Sequence, residues 1–172
     1  MTSTQTISYG QIKKITLPPN WLKVDASSNL ASFSCVYYHP PDFKDTRIYF
    51  MGHLPPLDDK TANGLTKIIK MDAKKITFTD FETISTILRS ADDHHEFLIK
   101  AVLPKTIKDK EVLIIEGHWQ KRNWDTYWIL IPIIDQEHDS VFLQELIYSS
   151  PSEQYLKFYN EAIVSINSLE WQ

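Results

Sequence analysis

The distribution of apolar and polar residues divides the last third of the chain into strands and one helix. Three runs rich in β-branched and aromatic residues follow one another: Glu111–Trp119, Thr126–Ile134 and Val141–Tyr148. Short polar connections, residues 120–125 and 135–140, separate these runs. The pattern predicts three consecutive strands in an antiparallel meander.

The meander is followed by a segment with the periodicity of an amphipathic helix. Ser150 at the N-cap, Pro151 at the first helical position and Glu153 at the third form a capping box with a proline start. Five positions at helical spacing are expected to face the interior: Tyr155, Tyr159, Ala162, Ile163 and Ile166. Trp171 is expected to close the edge of the core beyond this helix.

The first part of the chain carries further strand patterns. The predicted strands are Gln11–Leu17, Ser32–Tyr38, Arg47–His53 and Glu96–Leu103. Prolines follow the first and the last of these strands, at Pro18 and Pro104, and end them because proline cannot donate to a ladder.

Two helices are predicted between the third and fourth strands. The first covers Asp58–Met71, and its apolar positions are Ala62, Leu65, Ile68 and Ile69. The second opens at a capping box over Thr79–Glu82, and its apolar positions are Phe81, Ile84, Ile87 and Leu88.

Apolar residues on both faces of a strand decide the layering. In the strand 111–119, Val112 and Ile114 point to one face, and Leu113 and Ile115 point to the other. The strand 141–148 has the same property. A sheet with one face in water would alternate apolar and polar residues, so both faces need a covering layer.

The sequence therefore predicts an α+β fold in a single domain over residues 1–172. The architecture is a three-layer α/β/α sandwich around a mostly antiparallel sheet of six to seven strands. The element order is three strands, two helices, four strands and one helix. The two middle helices are expected on one face of the sheet, and the C-terminal helix on the other.

This order of elements and two short motifs resemble the PsbP-like α/β/α sandwich. The first motif is LPPNW, residues 17–21, directly after the first strand. The second is the closing pattern of Tyr148, Pro151, Tyr155, Tyr159, Ala162, Ser165, Ile166, Ser168 and Trp171. The group includes the photosystem extrinsic protein PsbP, Ran-binding relatives and bacterial DcrB-type proteins. The resemblance implies a domain that mostly lacks catalysis and acts through protein contacts. The chain differs from the group in lacking a visible export signal and in having a longer two-helix insert.

Composition and charge exclude several classes of function. The net charge of −4 disfavours a nucleic-acid-binding protein, which would have a basic surplus or stripe. Cys35 is the single cysteine, so no disulfide can form within the chain. No secretory signal is visible, and no apolar run approaches the ~20 residues that a membrane span needs. These features predict a cytoplasmic protein without a membrane span, and they leave its oligomeric state open.

Two clusters of histidine and acidic residues have the chemistry of metal ligands. They are Asp92–Glu96, which contains His94 and His95, and Asp135–Asp139, which contains His138. Strands that alternate in direction place these two turns at opposite ends of the sheet, so they cannot form one site. We expect both turns to be solvated, and we expect no bound metal and no cofactor.

The sequence predicts a polar pocket at the end of the strand 111–119. His118 shares that rim with Arg122, with the turn that carries Asp92 and Asp93, and with Tyr148. Burial of His118 with Glu116, or with an acceptor on the covering helix, explains the histidine equally well. No G-x-S-x-G elbow, P-loop, G-x-G-x-x-G or H-E-x-x-H motif is present.

Aromatic residues crowd the hairpin between the strands 111–119 and 126–134. Trp119 and Trp128 are expected to pack under the helices, whereas Trp124 and Arg122 are candidates for an interface, because tryptophan and arginine are enriched at binding hot spots.

The sequence predicts a non-catalytic protein-binding or adaptor domain, such as an assembly factor, a chaperone or an immunity-type protein, with another protein as its partner. The alternative is a small-ligand-binding protein or a hydrolytic enzyme that uses the rim near His118.

Overall fold

The computed structural model describes residues 5–26, 35–53, 56–89 and 97–172. Its strands are β1 (Gln5–Tyr9), β2 (Ile12–Leu17), β3 (Leu22–Ala26), β4 (Cys35–His39), β5 (Arg47–His53), β6 (Phe97–Ile107), β7 (Lys110–Trp119), β8 (Trp124–Asp135), β9 (Ser140–Pro151) and β10 (Glu170–Trp171). Its α-helices are α1 (Asp59–Ile69), α2 (Phe78–Arg89) and α3 (Ser152–Asn167), and a 3₁₀ helix covers Ala73–Lys75. None of the described helices has the length and apolar character needed to cross a membrane.

Antiparallel pairing joins the described strands into two sheets. The main sheet has seven strands in the order β3-β4-β5-β9-β8-β7-β6, and the smaller sheet has the order β1-β2-β10. The strands β6 to β9 form the predicted meander. β9 also pairs with β5, which places Arg47 opposite Ser149 and brings distant parts of the chain together at the centre of the sheet.

Each face of the main sheet has its own hydrophobic core. The helices α1 and α2 cover one face, where Leu113 and Ile115 of β7 are buried. The helix α3 and the smaller sheet cover the other face, where Val112 and Ile114 are buried. These positions confirm the predicted three-layer α+β sandwich and the predicted division of the helices between its two faces.

The predicted first strand does not belong to the main sheet. It corresponds to β2, which pairs with β1 and β10 in the smaller sheet. Gly10, with φ of +53°, lies in the tight turn between β1 and β2. The strands β1, β3 and β10 were not predicted, and β3 supplies the seventh strand of the main sheet.

The strand β6 continues through Pro104, which was wrongly predicted to end it. Among the described strands, β6 lies at an edge of the main sheet and pairs only with β7. A proline is compatible with such a position because its missing N–H can lie on the side that has no neighbouring strand. Residues 32–34 and 96, at the starts of two predicted strands, lie outside the described residues.

The predicted capping box of the last helix is wrong. β9 extends to Pro151, and α3 begins at Ser152. Pro151 takes the N-cap position and makes no side-chain hydrogen bond there. Ser150 is buried in β9 instead, with its hydroxyl 2.7 Å from the Thr46 Oγ1 atom. Strand pairing with β8 therefore overrides the local capping signal.

The other two helix starts were predicted more closely. Asp58, the predicted first residue of the helix, is the N-cap of α1, and its side chain accepts a hydrogen bond of 3.0 Å from the Thr61 backbone N–H. The capping box of α2 begins at Thr77, two residues before the predicted position. The Asp80 carboxylate accepts hydrogen bonds from both the Thr77 backbone N–H and the Thr77 hydroxyl, at 2.8 and 2.7 Å.

The buried face of α3 was predicted in part. Ala162 and Ile166 are buried as expected, but Phe158 is buried as well and was not predicted. The other three predicted residues, Tyr155, Tyr159 and Ile163, are half-buried and pack against the same core.

The LPPNW motif places Trp21 in the core beneath α3. Its ring is 2% exposed and packs against Phe158 with a centroid distance of 6.2 Å. The Trp21 indole N–H donates a hydrogen bond of 3.0 Å to the Glu161 Oε2 atom. The motif therefore connects the entry to β3 with the last helix.

Candidate functional site

The structure divides the predicted site residues between the two faces of the main sheet. His118 and Tyr148 lie on the face covered by α3, whereas Trp124 and Arg122 line a cavity on the α1/α2 face. His118 and Arg122 therefore do not meet in one pocket. Asp92 and Asp93 lie outside the described residues, as do His94 and His95.

A polar cluster surrounds His118 at the end of β7. The His118 Nδ1 atom lies 3.2 Å from the Asp125 Oδ1 atom, directly opposite on β8, and 3.5 Å from the Ser152 hydroxyl. The Lys100 ammonium donates a hydrogen bond of 2.6 Å to the same Asp125 oxygen. Burial of Asp125 opposes ionisation, but hydrogen bonds from Lys100, Ser152 and His118 hold the pKa of this carboxyl below its ordinary value. His118 thus has Asp125 as its acidic neighbour, where Glu116 was considered from the sequence.

This cluster contains serine, histidine and aspartate but not the geometry of a nucleophilic triad. In a triad, the serine and the aspartate contact different nitrogens of the imidazole, so that one nitrogen can take the serine proton while the other is held by the acid. Here both Ser152 and Asp125 approach Nδ1. The observed contacts make His118 part of a hydrogen-bonded network around Asp125 rather than a base directed at Ser152.

Tyr148 is a core residue and not part of an open rim. Its side chain is 0% exposed, and its hydroxyl donates a hydrogen bond of 2.7 Å to the Tyr155 backbone carbonyl. The ring packs against the Tyr155 ring with a centroid distance of 5.0 Å. Burial raises the pKa of the Tyr148 hydroxyl, which therefore stays protonated at neutral pH.

A cavity of about 190 Å³ lies on the α1/α2 face of the main sheet, and we call it the tryptophan cavity. Its lining combines three tryptophans with a few polar and charged groups: Tyr49, Met51, Trp119, Arg122, Trp124, Thr126, Trp128, Glu145, Ile147 and Ser149. As predicted, Trp119 and Trp128 pack in the core under α1 and α2. Trp124 is less enclosed, and Arg122 is exposed on the turn between β7 and β8.

Glu145 is the buried acid of the tryptophan cavity. It lies in β9 on the same face as Leu143 and Ile147 and is only 2% exposed. Burial raises the pKa of its carboxyl to about 7, although the neighbouring Trp128 indole N–H favours the charged form. Glu145 was not predicted as a site residue. The sequence carries one signal for it, because Glu145 is an acidic residue at a buried position of a strand that is apolar on both faces.

Arg47 lies over aromatic rings at the border of the tryptophan cavity. The Arg47 guanidinium lies 4.8 Å from the centroid of the Tyr37 ring, 6.0 Å from that of Tyr49 and 5.9 Å from that of Trp124. These distances are within the range of cation–π attraction. Two rings that line the cavity, Tyr49 and Trp124, therefore already interact with a cation.

Phe97 packs across Gly117 against Trp119 and Trp128, which form one wall of the tryptophan cavity. Its ring centroid is 4.8 Å from that of Trp119 and 5.9 Å from that of Trp128. A Cβ atom at position 117 would overlap the Phe97 ring and would lie 2.7 Å from the Leu98 carbonyl oxygen. Position 117 must therefore be glycine for this wall to form.

Replacing Gly117 with alanine should lower the free energy of unfolding by about 1–3 kcal/mol, because the added methyl group overpacks the wall. Gly52→Ala is the matched control, since nothing lies within 4 Å of a Cβ atom built at that strand position. Urea denaturation measures both variants. Equal stability of the Gly117→Ala and Gly52→Ala variants would contradict the close approach of Phe97.

The second predicted His-acidic turn is solvated. The His138 Nδ1 atom lies 2.9 Å from the Asp135 Oδ2 atom within the same turn, and the His138 side chain is 70% exposed. Within residues 5–26, 35–53, 56–89 and 97–172, no three histidine, cysteine, aspartate or glutamate side chains are grouped as a metal site would require.

Comparisons with known proteins give structural neighbours. No protein-family model matches the sequence, and no curated protein matches it. The solution structure of cyanobacterial PsbP (CyanoP) from Synechocystis sp. PCC 6803 superposes with a TM-score of 0.59 at 10% identity, covering 100% of this chain and 94% of that chain. The crystal structure of LpqN, involved in cell envelope biogenesis of Mycobacterium tuberculosis, gives a TM-score of 0.48 at 12% identity, covering 95% of this chain and 87% of that chain. The superposition on cyanobacterial PsbP spans the whole sandwich described above, and this chain therefore has the PsbP-like fold that its sequence predicts.

Proposed function

We propose that this chain is a non-catalytic binding domain that holds a partner protein at the tryptophan cavity. The observation that carries this proposal is the position of Trp124 and Arg122 at a cavity with an acidic residue, Glu145, among its walls. Tryptophan and arginine dominate binding energy at protein interfaces when they surround a pocket that a partner side chain can fill. The two interface candidates from the sequence both belong to such a pocket.

Contacts within the chain hold the side chains at the border of the cavity in place without a partner. Arg47 is held by the Asp45 carboxylate, with 3.2 Å between Nη2 and Oδ1, and it lies over the Tyr37 and Tyr49 rings. The aromatic side chains of the wall pack against one another and against the core beneath α1 and α2. Rigid walls lower the entropy lost on association, which favours a site for recognition.

The hydrolytic alternative at His118 has less support. Asp125 and Ser152 both approach the same imidazole nitrogen, and Tyr148 is enclosed in the core beneath α3. A small-ligand-binding function would use the same tryptophan cavity. It differs from the proposal in that a small molecule, and not a side chain of a partner protein, would fill the cavity.

The test is affinity capture from native lysate of the source organism with quantitative mass spectrometry. Trp124→Ala and Arg122→Ala should each reduce capture of the partner at least tenfold, because both remove contacts at the border of the cavity. Phe78→Ala is the control, since this ring is 81% exposed and lies in a separate cleft between α1 and α2.

A partner that is captured by the wild type and by Phe78→Ala but is lost from both border variants supports the proposal. Proteins captured equally by all four chains, or no enriched protein at all, would overturn a protein-binding role for this site.

A further inference from the structure

We infer that the tryptophan cavity binds one alkylammonium group, with the Glu145 carboxylate as its counter-ion and the tryptophan rings as its walls. This inference rests on the proposed function for the choice of site, and it adds the chemistry of the bound group. The group can belong to a lysine side chain of a partner protein or to a small free amine, because both present the same cationic head.

The walls have the composition that recognises an organic cation. Trp119, Trp124, Trp128 and Tyr49 all line the cavity. Aromatic rings carry negative charge density on their faces and attract cations within about 6 Å, and tryptophan is the strongest of them. Arg47, at 5.9 Å from the Trp124 ring centroid, already makes this kind of contact with one of these rings.

The size of the cavity limits what can enter. A volume of about 190 Å³ accommodates a single small head group with its first methylenes, and not a strand or a helix of a partner. A long flexible side chain with the charge at its tip, such as lysine, reaches into such a space while its backbone stays outside.

Glu145 determines the sign of the charge that the inner cavity accepts. The residue is 2% exposed, its neighbours on the adjacent strands are the apolar Met51 and Leu130, and the Trp128 indole N–H lies beside its carboxyl. A cation beside a buried carboxylate stabilises the charged form of the acid. Arg122 is exposed on the turn, where water and salt screen its charge.

The affinity should depend on pH because Glu145 must be ionised to pair with the cation. Burial raises the pKa of Glu145 to about 7, so the fraction of protein with a charged carboxylate increases as the pH rises through neutrality. The other titratable or charged side chains at the cavity are Tyr49 on β5, Arg122 on the turn and Arg47 at the border, which is paired with Asp45. The helices α1 and α2 contribute Leu65, Ile68, Ile84 and Ile87 to this core. The buried Asp80 of α2 is engaged by Thr77 and Lys67.

The experiment compares choline with 3,3-dimethylbutan-1-ol, which has the same shape without the charge. Tryptophan fluorescence and NMR titrations of the full chain follow binding of each probe. Choline should bind at pH 8 at least tenfold more tightly than the neutral alcohol, and its affinity should fall about tenfold or more between pH 8 and pH 5.5. The Glu145→Gln variant should bind choline at least tenfold more weakly at pH 8, and its affinity for choline should no longer change between pH 8 and pH 5.5. Asp125→Asn, which alters an acid on the opposite face of the sheet, should bind choline as the wild type does.

Two further probes distinguish the possible sources of the cation. They are Nα-acetyl-lysine-N-methylamide and its ε-trimethylated form, which present the head group on a peptide-like backbone. Tighter binding of these lysine probes than of choline supports a partner protein as the source, whereas tighter binding of choline supports a free small amine. In both cases the assignment of a cation site stands.

Equal affinity for choline and the neutral alcohol, or unchanged binding of choline to the Glu145→Gln variant, would overturn the cation assignment. If no probe binds but Trp124→Ala still loses the captured partner, the cation assignment fails and the proposed function stands. If the probes bind as expected but no protein depends on Trp124, the cation site stands and the protein-binding function fails.

Discussion

The Glu145→Gln variant should gain about 2–3 kcal/mol of stability relative to the wild type when the pH is raised from 5 to 9. The ordinary pKa of this carboxyl is 4.5, and burial raises it to about 7 in the folded chain. Between these values the folded protein keeps a proton that the unfolded chain releases. Wild-type stability is therefore fully present below pH 4.5 and declines as the pH rises towards 7. Glutamine cannot ionise, so the variant escapes this loss.

Chemical denaturation at a series of pH values measures this difference. Glu111→Gln, at an exposed position of β7, controls for the removal of one negative charge. Parallel stability curves for the wild type and the Glu145→Gln variant would show that the carboxyl is not buried as described. The same curves also establish that the variant is folded in the binding experiment.

The second large effect is expected from α3. Ile166→Ala should lower the free energy of unfolding by about 3–4 kcal/mol, because it removes a side chain that is 1% exposed from the core under this helix. Val164→Ala, two residues away and 70% exposed, should be close to neutral. Urea denaturation of both variants tests which face of the helix is buried.

Comparable losses for the two variants would contradict the observed orientation of α3. Val164 is a better control than Glu161, which lies on the outer side of the helix but accepts the Trp21 indole hydrogen bond. Removal of the Glu161 carboxylate would leave a buried indole N–H without its acceptor, so that change is not a neutral one.

The layers of the fold could be predicted because they depend on local periodicity. Val112 and Leu113 point to opposite faces as a consequence of strand geometry alone, and each face then needs its own covering layer. The end of a strand and the start of a helix depend on tertiary pairing instead. Ser150 and Pro151 have the local signature of a helix start, but they stay in β9 because Trp124 pairs with Pro151.

The tryptophan cavity could not be predicted as a site from the sequence. Trp124 and Arg122 were predicted as interface candidates because tryptophan and arginine are enriched at binding hot spots. Glu145 joins them through the pairing of β9 with β8. Tyr49 joins them only because β5 pairs with β9 in a register that no local pattern determines. The predicted rim around His118 failed to include Arg122 for a related reason, because the two side chains belong to opposite faces of the sheet.

The central pairing of β5 with β9 has a consequence for the order of folding. The main sheet is completed only when Arg47 of β5 pairs with Ser149 of β9. The smaller sheet is completed only when Ile12 of β2 pairs with Trp171 of β10. Contacts of such large sequence separation slow folding, because the entropy of closing a long loop is lost before the contacts form. During synthesis, the strands β3 to β5 emerge long before β9, and they would expose a strand edge until it arrives. The meander of β6 to β9 contains only neighbouring pairings and is expected to form first, as the template on which the earlier strands then assemble.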